Sequence, residues 1–323
     1  MTRRVVRARA HGKVNVFLGV GEARADGFHD LSTVFQAVSL HDDLAVEAVP
    51  SRRVARGPHV RGVRVTGLDA HKVPTDSTNL AVRAVEAAVG RYRRWHGLGW
   101  APAFYLHLHK GIPTAGGMAG GSADAAAALR ATAEILAAEY PEHPALAEWE
   151  LHEIAAELGS DVPFTLMGGT AWGRGRGEDL TPVLSKGRYH WVFALSPRGL
   201  STPEVFKALD ELRYARPERR PRMDVDAINA ALATGDPLAV GVHMHNDLEA
   251  AALSLMPGLR VAHGAAVELG AVRCVVSGSG PTLAFLCRDE ESAAAVAEEL
   301  VGQNLASRAV VAHGPMPGAR AVG

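Results

Sequence analysis

The stretch Pro113-Thr114-Ala115-Gly116-Gly117-Met118-Ala119-Gly120-Gly121-Ser122-Ala123-Asp124 constrains this chain more than any other. Before it, Phe104, Leu106 and Leu108 alternate with Tyr105, His107 and His109, the period of a strand. After it, an alanine-rich run from Ser122 towards Tyr140 is a strong helix former. Four glycines between Gly116 and Gly121 are costly to order, and they leave bare backbone where strand gives way to helix. Exposed N–H groups at the positive end of a helix dipole suit a phosphate. A flexible loop with Ser122 as an ordinary N-cap fits the same residues. Between this strand and helix there is neither G-x-x-x-x-G-K-[ST] nor G-x-G-x-x-G, and the H-R-D and D-F-G signatures of protein kinases are missing.

Two further segments pair a bland reading with a chemical one. Val14, Val16 and Leu18 alternate with Lys13, Asn15 and Phe17, so Lys13 and Asn15 share one face of a strand. Leu158-Gly159-Ser160-Asp161-Val162-Pro163-Phe164 sets a carboxylate between a helix stop and a proline, where it is either a helix cap or a general base. A carboxylate beside an ammonium such as Lys13 stays ionised and accepts a proton from an attacking hydroxyl. Ser277-Gly278-Ser279-Gly280-Pro281, between two apolar runs, is a plain hairpin connection or a second loop of close approach.

The coarse organisation is mixed. A second strand over 31–40 follows the turn at Ala25-Asp26-Gly27, and an arginine- and glycine-rich loop is expected over 51–67. A helix is expected over 78–89, capped by Asp76 or Ser77, and another over 145–158 that stops at Gly159. Residues 168–177 read as strands or a turn. A new unit begins near Lys186 with a strand over 189–195, and Arg213 to Arg222 reads as a surface loop. Helical runs then alternate with one strand-loop-strand over 272–287, which predicts an α+β protein in two lobes.

Length and composition exclude several classes. At 323 residues with 47% hydrophobic side chains, the chain builds a large core without staples. With 34 Lys and Arg against 35 Asp and Glu, no net field draws it to nucleic acid or acidic lipid. Two cysteines, Cys274 and Cys287, make no disulfide framework and read as small buried apolar residues in a reducing, cytoplasmic setting. Arg3-Arg4 is followed by no apolar stretch of a signal peptide, and no run meets the length of a membrane span. His152-Glu153 lacks the second histidine of a zincin helix, because Ala156 stands there. His243, His245, Asp247 and Glu249 take surface or capping roles for want of a third separated anchor. Neither Ser122 nor Ser279 forms the G-x-S-x-G elbow of a hydrolase. Arg91-Tyr92-Arg93-Arg94-Trp95 reads as a solvated helix end.

The strand around Lys13-Val14-Asn15, the glycine run Pro113 to Ala123 and the Ser277-Gly278-Ser279-Gly280 loop together resemble, in that order, the three motifs of the GHMP small-molecule kinases. Arg24-Ala25-Asp26-Gly27-Phe28-His29, Leu158 to Phe164 and Ser201-Thr202-Pro203-Glu204-Val205-Phe206 are similar to the branch that acts on a cytidine diphosphate-linked methylerythritol. The resemblance implies the two-domain GHMP kinase fold, with a ribosomal-protein-like N-terminal ATP-binding lobe over 1–183 and a ferredoxin-like C-terminal lobe over 184–323. It implies transfer of a phosphoryl group from ATP, with Mg2+, to an alcohol of that small molecule, by a monomer or homodimer with no nucleic-acid or membrane partner. Homoserine, mevalonate and sugar kinases of the same fold are the nearest rivals.

By the same resemblance, Asp161 is the base and Lys13 keeps it ionised. Pro113, Thr114, Ala115, Gly116, Gly117, Met118, Ala119, Gly120, Gly121, Ser122 and Ala123 wrap the ATP phosphates, with Asn79, Leu80 and Lys110 near the nucleotide and Ser122 a Mg2+ ligand. Asn15, Thr202, Gly278, Ser279 and Gly280 contact the acceptor. Phe28 and Phe206 sandwich the cytosine, and His29 reads its edge. There are three departures from the family pattern: Phe28 replaces a tyrosine, the lead-in Ala10-His11-Gly12-Lys13 replaces the commoner Ala-Pro-Ala-Lys, and Ala119 and Ala123 replace a glycine and a serine.

Overall fold

The computed structural model describes residues 3–114 and 116–323, so the expectation for Ala115 lies outside the described residues. Two long strands, β1 (Arg4–Ala23) and β2 (His29–Val54), run antiparallel with Lys13 opposite Ala37 and Asn15 opposite Phe35. The segment expected as a loop over 51–67 is instead the end of β2 and a further strand, β3 (Val60–Gly67). Its alternation is hidden in the sequence because exposed arginines and glycines occupy the outward positions.

Helix α1 (Leu80–His96) starts later than expected. Its cap is Asn79, whose Oδ1 accepts from the backbone N–H of Ala81 at 2.8 Å and of Val82 at 3.4 Å. The expected solvated end of α1 also differs: Tyr92 is fully buried and Arg93 holds the carbonyls of Ala55, Leu98 and Gly99. Strand β4 (Ala101–Lys110) then leads through the glycine run into α2 (Gly120–Glu139). Ala125 to Ala128 are fully buried, and their small side chains let α2 lie close against α1 and the sheet. Helices α3 (Glu148–Leu158) and α4 (Val162–Met167) flank Asp161, and β5 (Thr170–Arg174) and β6 (Asp179–Pro182) extend the sheet from β2.

The second lobe opens with β7 (Tyr189–Leu195), α5 (Thr202–Ala215), α6 (Asp226–Thr234), α7 (Pro237–His243) and the short β8 (His245–Asn246). It continues with α8 (Glu249–Leu255), α9 (Leu259–Gly264), β9 (Arg273–Val276), β10 (Leu283–Cys287), α10 (Glu290–Gly302) and β11 (Arg308–Gly314). Its sheet has the order β11-β7-β10-β9, antiparallel throughout. The last strand, β12 (Arg320–Val322), returns to the first sheet and pairs with β1, which gives the order β12-β1-β2-β4-β3 there.

Arg213, expected on a surface loop, is buried on α5 and donates to the carbonyls of Val20 and Gly21 and to Asp247. Asp247 also accepts from the Val20 N–H at 2.8 Å, so this ion pair clips the end of β1 to the second lobe. Leu18 and Val20 of β1 belong to the apolar core formed by Val192, Val205, Phe285 and Val296. Both cysteines are free and buried among apolar neighbours; burial pushes the Cys274 thiol well up and that of Cys287 up to about 12.

Candidate active site

Lys13 and Asp161, far apart in the chain, meet with Nζ and Oδ2 at 3.7 Å. Lys13 is 4% exposed on β1 and donates at 2.7 Å to Oδ1 of Asn15 on the same strand face. The Asn15 amide in turn donates to Thr33 Oγ1, and Thr33 donates to the Phe17 carbonyl. Each member of this relay has one role left to it, so Asn15 is fixed with its oxygen on the ammonium. Phe35 closes the other side, its ring centroid 5.3 Å from the ammonium. Asp161 precedes α4 without using its side chain as a cap. Its carboxylate is a third exposed and faces a cavity of about 780 Å3.

The glycine run lies against this pair. The Lys13 N–H donates to the Met118 carbonyl, and a Cβ on Gly117, whose φ is +67°, would run into the Ser277 carbonyl oxygen. Gly278, at φ +58°, brings its backbone beside Asn15 and Lys13. The two glycine loops therefore touch each other and the Lys13–Asp161 pair. Asn246 holds the second loop by donating to the carbonyls of Val276 and Gly278 at 2.7 Å each. Ala119 takes the left-handed backbone, φ +59°, just before α2, and the helix's first intrahelical bond runs from Ala123 N–H to its carbonyl. That leaves the first-turn amides of Gly120, Gly121 and Ser122 outside the helical ladder, the donors a phosphate takes.

The other expected nucleotide residues are placed as follows. Lys110 is buried, with its ammonium on Asp42 and 2.8 Å from Asp124. Its charge is already matched by these carboxylates rather than presented free to a phosphate. Burial would lower its pKa, but the two carboxylates outweigh that and raise it; burial pushes the Asp124 carboxyl well up. Asp42 also accepts from the N–H groups of Gly111 and Ile112, which fixes the entry to the glycine run. Asn79 is occupied as the α1 cap, and Leu80 Cδ1 lies beside Gly121. Pro113 is buried, Thr114 donates to Asp69, and Ser122 is half-buried in the first turn of α2. Among the described residues no group of three His, Cys, Asp or Glu side chains is placed to hold a metal.

At the other end of the cavity stand Phe28, 54% exposed on the β1–β2 turn, and Phe206, half-buried on α5. His29 is buried between the lobes, its ring centroid 5.1 Å from that of Phe206. Thr202 Oγ1 lies 2.8 Å from Ser279 Oγ, so these hydroxyls pair with each other at the cavity wall. Sequence reasoning missed Thr33, Asp42 and Asn246, which touch the expected residues rather than stand in motifs, and it missed the role of Asp124, which closes the glycine stretch. It also missed Asp210, whose signal was available, one helical turn after Phe206.

The comparisons with known proteins bear on this geometry. Residues 79–169 match the GHMP kinases N-terminal domain and residues 228–306 the GHMP kinases C-terminal domain. A 4-diphosphocytidyl-2-C-methyl-D-erythritol kinase of Corynebacterium diphtheriae is 51% identical, covering 100% of both chains. One from Nocardia farcinica is 50% identical over 98% of this chain and 96% of its own. The chain belongs to the 4-diphosphocytidyl-2-C-methyl-D-erythritol kinases, a branch of the GHMP kinases. A crystal structure of 4-(cytidine 5'-diphospho)-2C-methyl-D-erythritol kinase superposes on this kinase with a TM-score of 0.68 at 33% identity, covering 97% of this chain and 98% of that one. A homoserine kinase from Cytophaga hutchinsonii, at 19% identity and a TM-score of 0.70 over 98% and 97%, shares the fold. The kinase is thus an ATP-dependent phosphotransferase of the two-lobed GHMP fold. No helix among its described residues is long and apolar enough to cross a membrane.

Proposed function

We propose that this kinase transfers the terminal phosphoryl group of ATP to the 2-hydroxyl of 4-diphosphocytidyl-2-C-methyl-D-erythritol, in the cytoplasmic, non-mevalonate route to isoprenoid precursors. The observation that carries the reading is the Lys13–Asp161 pair, 3.7 Å apart at a cavity bounded by the glycine run on one side and by Phe28 and Phe206 on another. Phosphoryl transfer needs positioning and charge stabilisation more than covalent help from the protein. In this reading Asp161 accepts the hydroxyl proton as that oxygen bonds to phosphorus, and the β–γ bridging oxygen leaves with ADP. Lys13 faces the carboxylate and steers the hydroxyl, and Asn15 fixes Lys13.

Residues 113–123 receive the phosphates on the free amides at the start of α2, with Asn79 and Leu80 at the nucleotide side. Lys110 acts beneath the loop, holding its entry through Asp42. Mg2+ would supply charge neutralisation for the phosphates, and Ser122 at the first turn of α2 is the side chain suited to hold it. Gly278, Ser279, Gly280 and Thr202 border the acceptor. Phe28 and Phe206 flank the cytosine, a use that two aromatic rings lining one cavity suit well. The ATP-binding unit over 1–183 and the partner lobe over 184–323 share the acceptor site between them, with β12 returned to the first sheet.

The test presents purified enzyme with ATP and Mg2+ and, in turn, the cytidyl substrate, homoserine and mevalonate, following ADP release. Turnover is expected with the cytidyl substrate. Turnover with either of the others at comparable kcat/KM overturns the assignment of substrate.

A further inference from the structure

His29 and Asp210 reach each other from different lobes. His29 opens β2, and its Nε2 lies 2.9 Å from Oδ1 of Asp210 on α5. Phe206, one turn earlier on α5, leans on the same imidazole with ring planes inclined at 43°. All three line the cavity. A single helix face thus presents an aromatic ring and a carboxylate to one histidine.

The carboxylate decides where the imidazole proton sits. An ionised carboxylate only accepts, so the ring nitrogen facing it carries hydrogen. In the neutral ring the other nitrogen is then a bare lone pair, and a carboxylate partner is the usual way such a tautomer is held. Nδ1 of His29 has no hydrogen-bond partner among the described residues. A lone pair facing a flat base accepts from an amine and repels a carbonyl oxygen.

We propose that Asp210 is a positioning residue that fixes the His29 proton on Nε2 and thereby turns Nδ1 towards the exocyclic amine of cytosine, making the site select cytidine over uridine. The inference rests on the cytidyl reading above and adds to it the group that enforces the choice of base. Uracil has a carbonyl oxygen where cytosine has its amine, so the lone pair of Nδ1 would face another lone pair. Sites built to hydrogen-bond a substrate N–H reject analogues that lack it by large factors.

The experiment measures binding of cytidine diphosphate and uridine diphosphate to wild type, Asp210→Leu and Asp210→Asn by calorimetry. Nitrogen-15 spectra at pH 8 report the protonation of His29, its signal assigned by loss in His29→Gln. Wild type is expected to hold the proton on Nε2 and to prefer the cytidine ligand roughly tenfold or more. Asp210→Leu is expected to populate the other tautomer and bring the two affinities within about threefold, with the KM for ATP unchanged; Asp210→Asn, whose amide oxygen still accepts, retains most of the preference. Wild-type His29 protonated on Nδ1, or a preference that survives in Asp210→Leu, overturns the proposal while leaving the cytidyl reading intact. Failure of wild type to bind cytidine diphosphate overturns both.

Discussion

Lys13 keeps its ammonium between an amide oxygen and a carboxylate, and the amide is itself held by a threonine. This arrangement separates holding from reacting: Asn15 and Thr33 orient, while Asp161, partly open to the cavity, is the group with a free lone pair. Asp161→Asn is therefore expected to lower kcat by about 10²–10⁴, the usual worth of a positioned base, with ATP affinity unchanged. Single-turnover transfer compared with ATP titration checks it, and retained turnover removes Asp161 from the mechanism. The residues to which the proposed mechanism gives a direct role were legible because they sit in local patterns, such as Lys13 on an alternating strand and Asp161 at a helix stop. Asp42 and Asp124 were not, because a carboxylate that serves another side chain gains its role only from the partner's position in space; Asp210 alone left a trace, in its helical spacing from Phe206. Lys110 shows the same limit: nothing in the strand that ends with it reveals the two carboxylates that surround it.

At the scale of elements, the glycine run and the Ser277–Pro281 loop form one device, since each fits only if the other's backbone is bare. Gly117 has φ +67° and its missing Cβ leaves room for the Ser277 carbonyl. Gly117→Ala is expected to destabilise the protein by about 1–3 kcal/mol, through left-handed strain and the displaced carbonyl, and to raise the KM for ATP. Thermal unfolding and ATP titration together check this; no change in either means that the loops do not depend on each other. The strand before the run and the helix after it were legible from periodicity and alanine content. Strand β3 was hidden because arginines on its solvent side look like loop composition. The start of α1 was misplaced because Asp76 and Asn79 are both good caps, and Asp76 bonds Thr78 instead.

Across the whole molecule, the first strand is the shared spine. Its far end enters the second lobe's core and is clipped by Arg213 and Asp247. Its middle carries Lys13, and its near end pairs with β12. His11 is buried and bonds the Pro317 carbonyl at 2.9 Å, so it ties this spine to the returning tail. Burial lowers its pKa from 6.5 to about 4. Between these values the unfolded chain binds more protons than the folded one. Stability is therefore fully present above 6.5 and is lost as pH falls towards 4. Urea unfolding at pH 8 and pH 5 is expected to show a loss larger by about 2 kcal/mol in wild type than in His11→Gln. An equal loss in both would mean that His11 is not the titrating link.

The pairing of β12 with β1 sets an order of events during synthesis. Arg7 to Arg9 leave the ribosome long before the partners that cover their outer edge, Arg320 to Val322, because nearly all of the described fold lies between them in the chain. Until translation reaches them, that edge of a nascent sheet carries unpaired backbone groups open to other chains.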